Sequence, residues 1–79
     1  MTDADFKLIE SELDDSLQNL TDSNTVLLPL NYLADATGLS FDMVESQIDR
    51  ILARRGLKLN KMRDKDRSGK ITRLNLWKP

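Results

Sequence analysis

The sequence predicts a small α+β fold of three helices closed by a C-terminal β-hairpin, and three patterns carry that expectation. Apolar residues recur at three- and four-residue steps from Phe6 to Leu20. Gly38 divides two further helical stretches between Leu30 and Arg55. Beyond Gly56 the period changes from helical to alternating, on both sides of a polar loop.

Helix one is expected over about 3–20. Thr2 offers a capping hydroxyl, and Asp3 and Asp5 sit where the helix dipole favours acids. Phe6, Ile9, Leu13, Leu17 and Leu20 form its core stripe, with Lys7, Glu10, Glu12, Asp14, Asp15 and Gln18 on the solvated face. Thr21-Asp22-Ser23-Asn24 reads as a turn. Thr25 to Leu28 is β-branched and apolar, too short for a helix, and stopped by Pro29, so a short strand is expected. Pro29 suits the first turn of the next helix, where no amide is needed.

Helix two is expected over 30–37, with Leu30, Leu33 and Ala34 inward and Tyr32 able to face either way. Gly38 supplies the positive φ that ends it, and Ser40 caps helix three, expected over about 41–55. Leu39 points back into the angle between the helices. Val44, Ile48, Ile51 and Leu52 fall on one face of helix three; Ser46 and Ala53 lie opposite. One flank of the outer face holds Asp42, Glu45 and Asp49, and the other Met43, Gln47, Arg50 and Arg54. In the last segment, Leu57 and Leu59 alternate with Lys58 and Asn60, and Thr72, Leu74 and Leu76 with Ile71, Arg73 and Asn75. The polar run 63–69 between them is turn-forming, giving a hairpin over about 57–77. Trp77 is expected to fold back over the sheet or helix one.

Seventy-nine residues make a single domain, 1–79, and one this small buries only about 60% of its unfolded surface. No depth remains for an ordinary enzyme cleft. Without cysteine or histidine, thiol and serine–histidine catalysis, disulfides and the usual zinc sites are excluded. No cofactor is expected. The absence of cysteine and of a membrane-length apolar run, together with an acidic N-terminus, points to a cytoplasmic, non-enzymatic module.

The net charge of −1 hides an asymmetry. Residues 1–49 carry eleven acids against Lys7, and residues 50–79 eleven bases against Asp64 and Asp66. Such a split predicts that one end of the molecule meets an anion.

The stretch Leu33 to Leu52, with Ala34, Gly38, Leu39, Ser40 and Val44 at their positions, resembles the helix-turn-helix signature. The whole order of helix, short strand, helix, helix and hairpin resembles the winged-helix family, whose hairpin is the wing. The resemblance implies a DNA-binding protein, a transcriptional or recombination regulator on double-stranded DNA; one such module covers only about 600–1,000 Å², so binding as a homo-oligomer, as a cooperative array or beside a partner is expected. A basic hairpin suits phosphate contact, since long charged side chains on a projecting element reach the backbone of a duplex. Lys61, Arg63, Lys65, Arg67 and Lys70 are the candidates there, flanked by Lys58 and Arg73. On helix three Ser40, Ser46, Gln47, Arg50 and Arg54 are candidate base or phosphate contacts. The acids Asp42, Glu45 and Asp49 oppose major-groove entry unless they meet cytosine amino groups or point away. They support the alternative, a protein-interaction module whose acidic helical surface docks a basic partner.

The run Asp64 to Thr72 also resembles an EF-hand calcium loop, with Asp64, Asp66 and Ser68 as oxygen ligands, Gly69 at the turn and Ile71 as anchor. Asn75 stands where that family has a bidentate glutamate, Arg67 and Lys70 add positive charge, and flanking helices are missing. A plain turn is the expectation for this loop.

Overall fold

Helix α1 (Asp3–Asp22) starts where Thr2 and Asp5 exchange bonds: the Thr2 Oγ1 accepts from the Asp5 amide, and the Asp5 carboxylate from the Thr2 amide. The computed structural model describes residues 2–79, with Asp22 described by its backbone alone. The helix runs into the expected 21–24 turn and ends at Ser23, whose hydroxyl bridges to the Thr25 carbonyl at 2.7 Å. Asp22 was expected to be part of that turn; its side chain lies outside the described residues. Strand β1 (Thr25–Leu28) and helix α2 (Leu30–Thr37) follow where expected, with Pro29 as the cap before α2 instead of its first helical residue.

Gly38 ends α2 at φ +72° and donates its amide to the Ala34 carbonyl at 2.8 Å. The Ser40 hydroxyl accepts from the Met43 amide at 3.2 Å and starts α3 (Phe41–Arg54). At the far end of α3, Gly56 sits at φ +67°, and the amides of Gly56 and Leu57 bond back to Ala53 and Leu52. That closure uses Leu57 in turning the chain. The first hairpin strand therefore begins three residues later than the alternation suggested: β2 is Asn60–Lys65, and β3 is Ile71–Trp77.

The three strands form one antiparallel sheet in the order β1-β3-β2. The structure is thus a small α+β fold of three helices and a three-stranded antiparallel sheet. Its core is a single cluster in which Ile9, Leu13, Leu28, Leu33, Val44, Ile48, Leu74 and Leu76 have no exposed surface. Phe6, Leu17, Leu39 and Leu59 pack at its margin. Each buried leucine or isoleucine contributes about 1.5–3 kcal/mol. Tyr32 is half exposed. Trp77 is partly buried in the sheet, paired in register with Thr25 and Asn60.

A Cβ added at Gly38 would meet nothing within 4 Å, so the only obstacle to a side chain there is its positive φ. Gly38→Ala is expected to lower stability by about 1 kcal/mol in urea unfolding, and Gly38→Asn by less.

Candidate nucleic-acid interface

Taken around α3, the residues expected to face outward divide into three strips. Along the middle lie Ser46 and Ala53, with Asp42 beside them on the flank of Glu45 and Asp49, all three exposed. Ser46 and Ala53 are small, so the helix backbone is open to close approach along that line. To one side stand Arg50, Arg54 and Met43, also exposed. Gln47, expected in this strip, is turned inward with 7% of its surface exposed, because its position on the helix adjoins Ile51 and Val44. That removes it from the outer face of α3.

The other side is closed by the hairpin. Glu45 is equally buried, and its carboxylate receives Arg63 through Nε at 3.0 Å and Nη2 at 2.8 Å. Lys61 Nζ lies 3.0 Å from the same carboxylate and 2.7 Å from that of Asp49, one turn along. Lys61 and Arg63 reach α3 because they stand opposite Leu76 and Leu74 in the register, on the face of β2 that looks toward the core. Burial pushes the Glu45 carboxyl up, but the hydrogen bonds and charges of Lys61 and Arg63 outweigh it and hold the group below its ordinary value of 4.5. Lys61 loses some affinity for its proton to burial and regains more from Asp49 and Glu45. These four residues were expected to face a ligand or partner; here they neutralise one another.

The hairpin tip is organised by Asp66. Its Oδ1 accepts from the Ser68 amide at 2.9 Å, the Ser68 hydroxyl at 2.6 Å and the Lys70 amide at 3.0 Å. These bonds, led by that from the Ser68 hydroxyl, hold its carboxyl below the ordinary range. Asp64 lies apart in β2, opposite Arg73. The loop thus has the form of a turn closed on its own aspartate, and Asp66 has its accepting oxygen directed at protein donors. Among the described residues no group of three acids stands together as a metal cage.

Lys65, Arg67 and Lys70 project from this tip and are exposed. Lys70 Nζ lies 5.9 Å from the centre of the Phe41 ring, joining the tip to the start of α3 across an open groove of about 530 Å³. Ser40, Gly38, Leu39 and Asp35 line the same groove. Among the described residues the ion pairs use Arg55, Lys61 and Arg63 as their cations, Arg55 binding Glu10 and Asp14 on α1. Arg50 and Arg54 on one side of α3, and the tip cations on the other, are outside these pairs.

The sequence reading missed the contact between α3 and β2. The signal for it was present as two acids four residues apart on a helix and two cations two residues apart on a strand. Each spacing puts its pair on one face. No family model, curated protein or solved structure matches the chain. No helix among the described residues is long and apolar enough to cross a membrane.

A depressed Glu45 pKa stabilises the fold fully above pH 4.5, and that contribution is lost as pH falls through the folded value. Glu45→Gln is expected to be less stable than the parent at pH 7 and to lose less on acidification. The double change Lys61→Ala with Arg63→Ala strands a buried carboxylate and is expected to cost about 1–3 kcal/mol. Urea unfolding between about pH 3 and pH 7 reads both.

Proposed function

We propose that this chain is a winged-helix DNA-binding module, a transcriptional or recombination regulator that acts on double-stranded DNA in the cytoplasm. The observation that carries the reading is the arrangement around α3. A ridge of small side chains, Ser46 and Ala53, runs between two sets of cations, Arg50 and Arg54 on one side and Lys65, Arg67 and Lys70 on the other. A duplex needs that combination: a helix able to approach base edges, and flanking charges that meet the phosphates. The element order and the central place of β3 in the sheet support the winged-helix assignment. Ser40 and Ser46 remain candidate base or phosphate contacts on this surface.

The internal pairing also removes the main objection to DNA. Glu45 and Asp49 would repel phosphates if free, but Lys61 and Arg63 cancel them at hydrogen-bond distance. Asp42 is left as the exposed acid of the ridge, placed to accept from a cytosine amino group. The second reading, an acidic surface for a basic partner, has its support reduced in the same way, since two of its three acids already hold cations of this chain.

Phosphate neutralisation is read directly from the salt dependence of binding. The slope of log K against log salt is expected to fall by about 0.9 for each of Lys65→Gln, Arg67→Gln and Lys70→Gln, with affinity lost alike on all duplexes. Lys61→Gln and Arg63→Gln remove no phosphate contact and uncover Glu45 and Asp49, so they are expected to lower stability and to change the slope less than the tip substitutions do. Fluorescence anisotropy on random and selected duplexes makes the measurement. No salt-dependent binding to any duplex would end the DNA reading.

A further inference from the structure

We propose that Asp42 and Arg50 set the base sequence this chain selects: a cytosine beneath the first turn of α3, and a guanine within about four base pairs of it. The inference rests on the DNA reading above and names the duplex that reading leaves open. At about 100° per residue, with Ser46 as the centre of the outer face, Ala53 lies about 20° from that line. Asp42 lies about 40° away on the side of the hairpin, and Arg50 about 40° away on the other. Arg54 stands about 80° from the line. All five are exposed. A helix about 10–12 Å across fills a major groove about 12 Å wide, so side chains near the centre line meet the floor of bases and those near 90° meet the phosphate walls. Asp42 and Arg50 are thereby placed over the floor, and Arg54 at a wall.

Both side chains are free to do this. Glu45 and Asp49 hold Lys61 and Arg63, whereas among the described residues neither Asp42 nor Arg50 enters an ion pair. A free carboxylate only accepts hydrogen bonds, and close to phosphates it repels them. It therefore costs affinity on every duplex except where a donor faces it. Cytosine offers its N4 amino group there. Guanine presents only acceptors, thymine an acceptor and a methyl, and adenine a donor beside an acceptor. Asp42 thus works mainly by weakening binding to the wrong bases. Arg50 has the opposite requirement, since its two parallel N–H donors match the O6 and N7 acceptors of guanine.

Helix geometry sets the spacing of the two letters. Asp42 and Arg50 are separated by about 12 Å along the helix axis, which covers no more than about three to four base pairs at about 3.4 Å each. Lys70 stands beside Phe41, at the Asp42 end of α3. The cytosine therefore lies on the side of the site where the tip cations meet the backbone, and the guanine on the far side.

Selection from duplexes with a randomised core, then fluorescence anisotropy on the selected duplex and its single-base variants, tests this. The parent should prefer each letter over the other bases by about five- to hundredfold. Asp42→Asn should move the first preference from cytosine to adenine, whose N6 and N7 match an amide, and should tighten binding to random duplex because the repelling charge is gone. Asp42→Glu should keep cytosine. Arg50→Gln should move the second preference from guanine to adenine, whereas Arg54→Gln should lower the salt slope by about 0.9 and leave both letters in place. A merely structural role for Asp42 or Arg50 would shift the melting temperature without moving a base preference. Duplex binding with no base preference, or preferences that Asp42→Asn and Arg50→Gln leave where they were, would overturn this inference while the DNA reading stands. No salt-dependent binding to any duplex would end both.

Discussion

The carboxylate of Glu45 ties the outer strand of the hairpin, β2, to α3. Every residue of β2 is exposed, so the strand adds no side chain to the apolar core. Two things tie it to the body: its ladder with β3, and the bonds that Lys61 and Arg63 make to Glu45 and Asp49. An ion pair in this setting acts less as a source of net stability than as a constraint on geometry, because breaking it leaves a buried carboxylate without partners. Its bidentate form with Arg63 fixes direction as well as distance. The tip cations consequently hold a defined position relative to α3, with Lys70 beside Phe41.

Most of the fold was legible in the sequence because it rests on local rules. Thr2, Gly38 and Ser40 mark helix ends through their own backbone and side-chain chemistry. The 3.6-residue spacing of Ile9, Leu13, Val44 and Ile48 marks the faces that make the core. What differs is where β2 starts and which of its residues face inward. A strand on the margin of a core is sought by alternating apolar residues, and here the inward positions are Lys61 and Arg63. Leu57 and Leu59 supplied a false alternation three residues early, whereas the closure of α3 at Gly56 takes Leu57 into the turn. The burial of Gln47 was hidden for a related reason. A helix packed by α1 on one side and a hairpin on the other covers more than its apolar stripe.

The same contact rewrites the charge pattern. Read along the chain, the molecule divides into an acidic and a basic part. In the folded chain, part of each set is spent on the other: Arg55 on Glu10 and Asp14, Lys61 and Arg63 on Glu45 and Asp49. Charge count alone therefore overstated how many cations a ligand would meet. Of those that remain, Lys65, Arg67 and Lys70 stand at the tip and Arg50 and Arg54 along one side of α3, which is a narrower arrangement than the eleven bases of residues 50–79.

The exposure of β2 has a kinetic side. Lys61, Arg63 and Lys65 all lie within β2, and each precedes a bond that trypsin recognises. Cleavage there requires the strand to peel from β3, and nothing apolar has to leave the core for that to happen. The barrier is the ladder and the four charges beside it. Proteolysis and amide exchange in β2 would therefore follow ionic strength and acidity, while the same measurements along α1 and β3 would follow the stability of the whole domain.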